Sequence, residues 1–98
     1  MRSQDLAFEN LENLQEETVL VSLVRQLVEA EREMPQMCTC DRCKVDMAAL
    51  ALNAVPPRYV ADRFNKFPET PTQAAQNFEL VEKAVRNAII TVARRPHH

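Results

Sequence analysis

The chain contains no glycine in 98 residues. Glycine alone adopts left-handed backbone conformations at little steric cost, and dinucleotide-fold turns, phosphate-cradling loops and nucleophile elbows are built on such positions. Rossmann, P-loop and α/β-hydrolase chemistries are therefore excluded. Tight β-hairpins favour Asn-Gly or Asp-Gly turns, so a mostly β fold is disfavoured as well, and a helical one remains. The length leaves room for one domain spanning residues 1–98. With 46% hydrophobic residues and a formal charge of −2, that domain is expected to be globular, neither disordered nor generally basic.

Hydrophobic spacing divides the chain into about four helices. Leu11, Leu14, Leu20, Leu23, Val24, Leu27 and Val28 recur at helical intervals between Asn10 and Glu33, which predicts an amphipathic helix stopped by Met34-Pro35. A second helix, capped by Thr39 or Asp41, is expected to run to about Asn53. Val45, Ala48, Ala49 and Leu52 form its main face, widened by Met47, Leu50 and Ala51. Asn53 is suited to a left-handed C-terminal turn. Pro57 then opens a short helix over roughly 57–67 carrying Tyr59, Val60, Phe64 and Phe67. Thr70-Pro71-Thr72-Gln73 is a capping box with proline at the first helical position. Beyond it Ala74, Phe78, Val81, Val85, Ala88 and Val92 make a seam that is either intramolecular core or a subunit interface. A second stripe, Ala84, Ile89, Ile90 and Ala93, favours the interface and hence a homodimer. Residues 1–9 are expected to be flexible, and His97 and His98 are either native or the remnant of a purification tag.

Charge is uneven: residues 1–34 carry eight acids against three bases, whereas residues 35–66 carry five bases against three acids. No apolar run approaches the roughly 18 residues of a membrane span and no apolar signal core follows the N-terminus, so a cytoplasmic protein without a membrane partner is expected. Three cysteines within six positions fit a reducing compartment better than a disulfide framework.

Cys38-Thr39-Cys40-Asp41-Arg42-Cys43 is the densest chemical feature. Cys40 and Cys43 have a C-x-x-C spacing that lets two thiolates reach one tetrahedral Zn²⁺, and Cys38 is near enough to be a third. The fourth ligand is open between a tail histidine, a residue of a second subunit, Asp41 and water. Inert or redox-active thiols are the alternative, with Arg42 and Lys44 close by. Catalytic zinc is disfavoured, because no His or Glu is placed near the motif as a general base. Arg42, Lys44, Arg58, Arg63 and Lys66 make the middle basic around Tyr59. Guanidinium groups bind phosphate bidentately and stack on bases, and Asp46 and Asn53 offer hydrogen-bond partners for a guanine edge. The alternative is that these residues are solvated helix faces and caps. Direct nucleic-acid binding is disfavoured by the net charge, and nothing resembles a nucleophile triad.

The run from Cys38 to Val60, with its C-T-C-x-x-C pattern and its D-x-x-A-L-A-L-N-x-x-P-P-x-Y-V pattern, resembles the late competence development ComFB family over roughly a quarter of the chain. The resemblance implies a small all-α homodimer, structural zinc held by Cys38, Cys40 and Cys43, and a non-enzymatic bacterial receptor for cyclic dinucleotides. Cyclic di-GMP is the first candidate and cyclic di-AMP the second, in control of motility and competence through an unidentified protein partner. The family suggests four-cysteine sites, and this chain has three. Lys44, Asp46, Asn53, Arg58 and Tyr59 fall in or beside the signature segment and are nominated as ligand-facing on their chemistry. The rival expectation is a zinc-stabilised dimeric adaptor that binds a competence or motility factor without nucleotide.

Overall fold

The computed structural model describes residues 8–61 and 69–96. Its elements are a 3₁₀ turn at Phe8–Asn10, strand β1 (Glu12–Asn13), helix α1 (Leu14–Glu33), helix α2 (Asp41–Asn53), strand β2 (Tyr59–Val60) and helix α3 (Pro71–Arg94). The two strands pair antiparallel, Glu12 opposite Val60 and Asn13 opposite Tyr59. Among the described residues there are three α-helices where four helical segments were expected, and a two-stranded ribbon that was not. No helix of the described residues is long and apolar enough to cross a membrane.

The difference lies at both edges of that ribbon. Helix α1 starts at Leu14 because the side chain of Asn13, an extended residue, accepts the Gln15 N–H at 3.1 Å and caps it. The same Oδ1 accepts the Arg58 N–H at 2.8 Å, and the Arg58 carbonyl accepts the Leu14 N–H at 2.8 Å. Residues after Pro57 are thus drawn into extended pairing before a helix can close its first bond, so the helix expected from residue 57 is not formed at Arg58–Val60. Residues 62–67 of that expectation, with Phe64 and Phe67, lie outside the described residues, as do residues 1–7 and His97–His98.

The helix ends follow side-chain chemistry. Met34 closes α1 with its N–H on the Ala30 carbonyl at 2.7 Å. The N-cap of α2 is Cys40, rather than Thr39 or Asp41, its sulfur accepting the Cys43 N–H at 3.5 Å. Asn53 is the last residue of α2 and no left-handed turn follows. Ala54 closes the helix at φ −95°, its N–H on the Ala51 carbonyl at 3.1 Å. The capping box of α3 is formed as expected, Gln73 N–H to Thr70 Oγ1 at 3.1 Å and Thr70 N–H to Gln73 Oε1 at 3.0 Å.

Helix α3 packs against both α1 and α2. Val19, Leu23, Leu27 and Ala30 of α1 and Cys43, Met47 and Ala51 of α2, with Val55 beyond it, meet Val81, Ala84, Val85, Ala88, Ile89 and Val92 of α3. The core face of α2 is therefore rotated from the expected one: Ala48 and Leu52 are half-buried, whereas Val45, Ala49 and Leu50 are exposed. The seam of α3 is core from Val81 onward, while Ala74 and Phe78 are exposed. The second stripe is also covered within one chain, Ala84 and Ile89 buried and Ile90 and Ala93 half-buried, because α1 and α2 pack on two sides of α3. It consequently gives no ground for a dimer. Among the described residues, an exposed apolar face lies on α1, where Leu20, Val21, Val24 and Val28 are all about half exposed or more.

Two polar side chains of α1 are buried, Gln15 and Ser22. Gln15 has no exposed surface, and its amide donates to the Pro56 carbonyl at 2.9 Å and to Asn77 Oδ1 at 2.8 Å while accepting from Asn77 Nδ2 at 3.2 Å. It joins the start of α1, the proline turn and α3. Gln15→Leu is expected to cost about 1–3 kcal/mol, the penalty for leaving buried polar partners unsatisfied. Urea unfolding checks this: an unchanged midpoint would show that the three bonds carry no stability.

Candidate metal centre

The turn from Met34 to Cys40 carries the chain from α1 to α2, tightened by the Met37 N–H on the Met34 carbonyl at 3.0 Å. It delivers the three cysteines at different depths. Cys38 is half-buried and packs against the core beside Met34 and Met37, Cys40 is exposed at the N-cap, and Cys43 is wholly buried in the first turn of α2. None is in a disulfide, and the three Sγ atoms lie within 4.8 Å of one another. Tetrahedral zinc–thiolate bonds of about 2.3 Å put sulfurs about 3.8 Å apart, so a closure of about 1 Å at most would bring all three onto one ion. Cys38, Cys40 and Cys43 thus fit a soft divalent cation such as Zn²⁺. Asp41, exposed in the first turn of α2, is not one of the converging groups, and His97 and His98 lie outside the described residues.

The electrostatics favour a cation too. Burial first, and then the neighbouring Cys38 and Cys40 sulfurs, push the Cys43 thiol from 9.0 up to about 11. Three adjacent sulfurs cannot share negative charge without a compensating ion, and a bound metal cation supplies that charge and displaces the protons. The chemistry such an ion would supply is structural: it would tie the inter-helix turn to the first turn of α2.

The nominated ligand-facing residues fall at two ends of α2. Lys44 is exposed and Asp46 half-buried near the cysteines, whereas Asn53 is exposed at the last turn. Nine residues separate Lys44 from Asn53, about 13.5 Å of helix rise. Arg58 and Tyr59 lie beyond Asn53 on the ribbon. Arg58 was expected in the short helix opened by Pro57. Its N–H is instead committed to Asn13, and its guanidinium pairs with Glu69 at 2.9 Å. Tyr59 is 61% exposed. Of the other basic residues, Arg42 is exposed, and Arg63 and Lys66 lie outside the described residues.

A second polar feature had only a faint sequence signal, a serine inside an apolar helix face. Ser22 donates to Glu82 Oε2 at 2.6 Å, Arg25 pairs with the same carboxylate, and Gln26 Nε2 donates to the Glu82 carbonyl at 3.0 Å. These residues cross-link α1 to α3 along a groove that also exposes Arg86 and Ile90. The pairing is invisible in the sequence because its members are about 60 residues apart.

Two outcomes are expected of the thiols. Elemental analysis of tag-free protein should find close to one zinc per chain, with chelation lowering the melting temperature and zinc uptake weakening as pH falls, since protons compete for the sulfurs. Well under one metal per chain would instead favour plain thiols. Metal-free protein should keep its full Cys43 contribution below pH 9 and lose it as pH rises from 9 through about 11, because there the unfolded thiol has released a proton that the folded one still holds. Urea midpoints at pH 8 and pH 10.5 measure this, and Cys43→Ala should remove that part of the slope.

The family model described as Late competence development protein ComFB matches residues 12–96, from the first residue of β1 to just past the end of α3. No curated protein and no solved structure gives a match.

Proposed function

The chain belongs to the ComFB family, whose description connects it with late competence development, and from that premise we propose that it is a non-enzymatic receptor for a cyclic dinucleotide. Cyclic di-GMP is the first candidate and cyclic di-AMP the second. The receptor acts as a cytoplasmic homodimer stabilised by structural zinc, and its occupied form differs from the empty one in affinity for a protein partner in competence or motility control. Only such differential binding switches a partner. The observation that carries the reading is the neighbouring pair on β2 and just before it: a half-buried guanidinium held by a carboxylate, beside an exposed phenol ring. Glu69 occupies Arg58 as a phosphate group would, with a similar fork of acceptor oxygens. Tyr59 offers a stacking face for a base. A ligand with two phosphates and two bases matches two such pairs in a twofold dimer, with Lys44, Asp46 and Asn53 supplying further polar contacts.

Calorimetry with cyclic di-GMP, cyclic di-AMP and a linear dinucleotide tests the reading. Arg58→Ala is expected to weaken binding by about 1.5–3 kcal/mol, the worth of a charged hydrogen bond. Glu69→Gln should strengthen binding several-fold, because the displaced competitor no longer carries charge. Asp46→Asn should shift preference between the bases more than total affinity.

The second reading is a zinc-stabilised dimeric adaptor that needs no nucleotide, whose two copies would meet through the same exposed α1 face of Leu20, Val21, Val24 and Val28. Absence of heat with every nucleotide would leave this reading standing. In either case that face is proposed to join two copies. Light scattering at micromolar concentration should then show a dimer, and Val24→Glu should give a folded monomer; a monomeric unmutated protein removes the claim.

A further inference from the structure

The three thiols differ in access as well as in position. Cys40 is exposed, Cys38 is half-buried against the core, and Cys43 has no exposed surface. An oxidant in solution therefore meets the Cys40 sulfur first. The same sulfur accepts the Cys43 N–H at 3.5 Å, which fixes the two residues across the first turn of α2, and their Sγ atoms lie within 4.8 Å. A disulfide needs about 2.05 Å. Rotation about the exposed Cys40 side chain can supply much of that approach, whereas Cys38 is tied into the packing of the inter-helix turn.

We propose that Cys40 is an oxidation site for peroxide, with buried Cys43 as the resolving thiol that converts it to an intrachain disulfide. Cys40 sulfur attacks one oxygen of hydrogen peroxide and the O–O bond breaks. This gives a sulfenic acid and hydroxide, which leaves as water with the thiol proton. Cys43 sulfur then attacks the Cys40 sulfur. The S–O bond breaks, the S–S bond forms, and the second hydroxide takes the Cys43 proton as a second water. Two thiols lose two electrons in all, and one peroxide becomes two waters. Where the sulfurs hold a metal they enter without protons, the two protons come from solvent, and two of the three cysteine ligands are lost together. Cys38 remains as a single thiol. Oxidation thereby unties the turn between α1 and α2 from the start of α2.

The test treats the full chain, zinc-loaded and chelator-treated in parallel, with hydrogen peroxide, followed by alkylation, peptide mass spectrometry and a chromogenic zinc indicator. The expected result is one intrachain bond between Cys40 and Cys43, an alkylated Cys38 and, from loaded protein, zinc release in step with thiol loss. Cys40→Ser should lose thiols at least ten-fold more slowly, whereas Cys38→Ser should still form the bond, so the result does not depend on a Cys43 variant that fails to fold. Bond formation in the chelator-treated arm supports the proposal even if the protein proves to hold no metal. A bond between Cys38 and either partner, an interchain bond as the main product, or an unchanged rate in Cys40→Ser would overturn it.

Discussion

The amide of Gln15 is the constraint on which the arrangement of the other elements depends. It is fully buried, and it takes a carbonyl from the turn after α2 and an amide from the second turn of α3. A buried amide left unbonded is costly, so the proline turn and α3 must both be in place when the start of α1 is packed. Asn13, two residues earlier, adds directionality. Its one carbonyl oxygen caps α1 and holds Arg58, so a single side chain sets where the helix begins and where the ribbon runs. The hydrophobic core then needs only to fill the space between three helices whose ends these polar groups have located.

Cys43 ties the chemistry to that core. It stacks at the start of the buried row Cys43, Met47, Ala51 and Val55, so the residue that reaches toward the other sulfurs is also a packing residue. Depth is what distinguishes the three thiols. The same burial that raises the Cys43 proton affinity places it out of reach of solvent, while Cys40, as the cap of α2, faces outward. The cluster could hold a metal ion, and the proposed oxidation draws on the same sulfurs, so either would act on the joint between α1 and α2.

Helix α2 separates two kinds of surface. The sulfur cluster lies at its N-terminal end. Its C-terminal end leads through Pro56-Pro57 to Arg58 and Tyr59, where the Arg58–Glu69 pair brings the segment before α3 beside the ribbon. The apolar face of α1 is a third surface, distinct from the core face because helix rotation sets Leu20, Val24 and Val28 away from Val19, Leu23 and Leu27. In the sequence Leu20, Leu23, Val24, Leu27 and Val28 belong to a single periodic set, and the broad stripe gave no sign of which half would be covered.

The absence of glycine and the 3.6-residue periodicity determined a helical class. The Thr70 capping box and the Met34-Pro35 stop were legible because they are local: every atom involved lies within one turn. The cysteine cluster was legible for the same reason, its members being held by short-range chain geometry. Arg58–Val60 was misread as helix because its partner is Asn13, 45 residues away, and local propensity contains no information about a pairing across that distance. The phase of α2 and the covering of both α3 stripes were likewise settled only when α1 and α2 packed together against α3. Sequence by itself determined which segments could be helical and where the thiols would gather, since both follow from neighbours along the chain. Tertiary structure decided which faces are buried and that Arg58 meets Glu69, because burial and ion pairing depend on what the rest of the chain brings alongside.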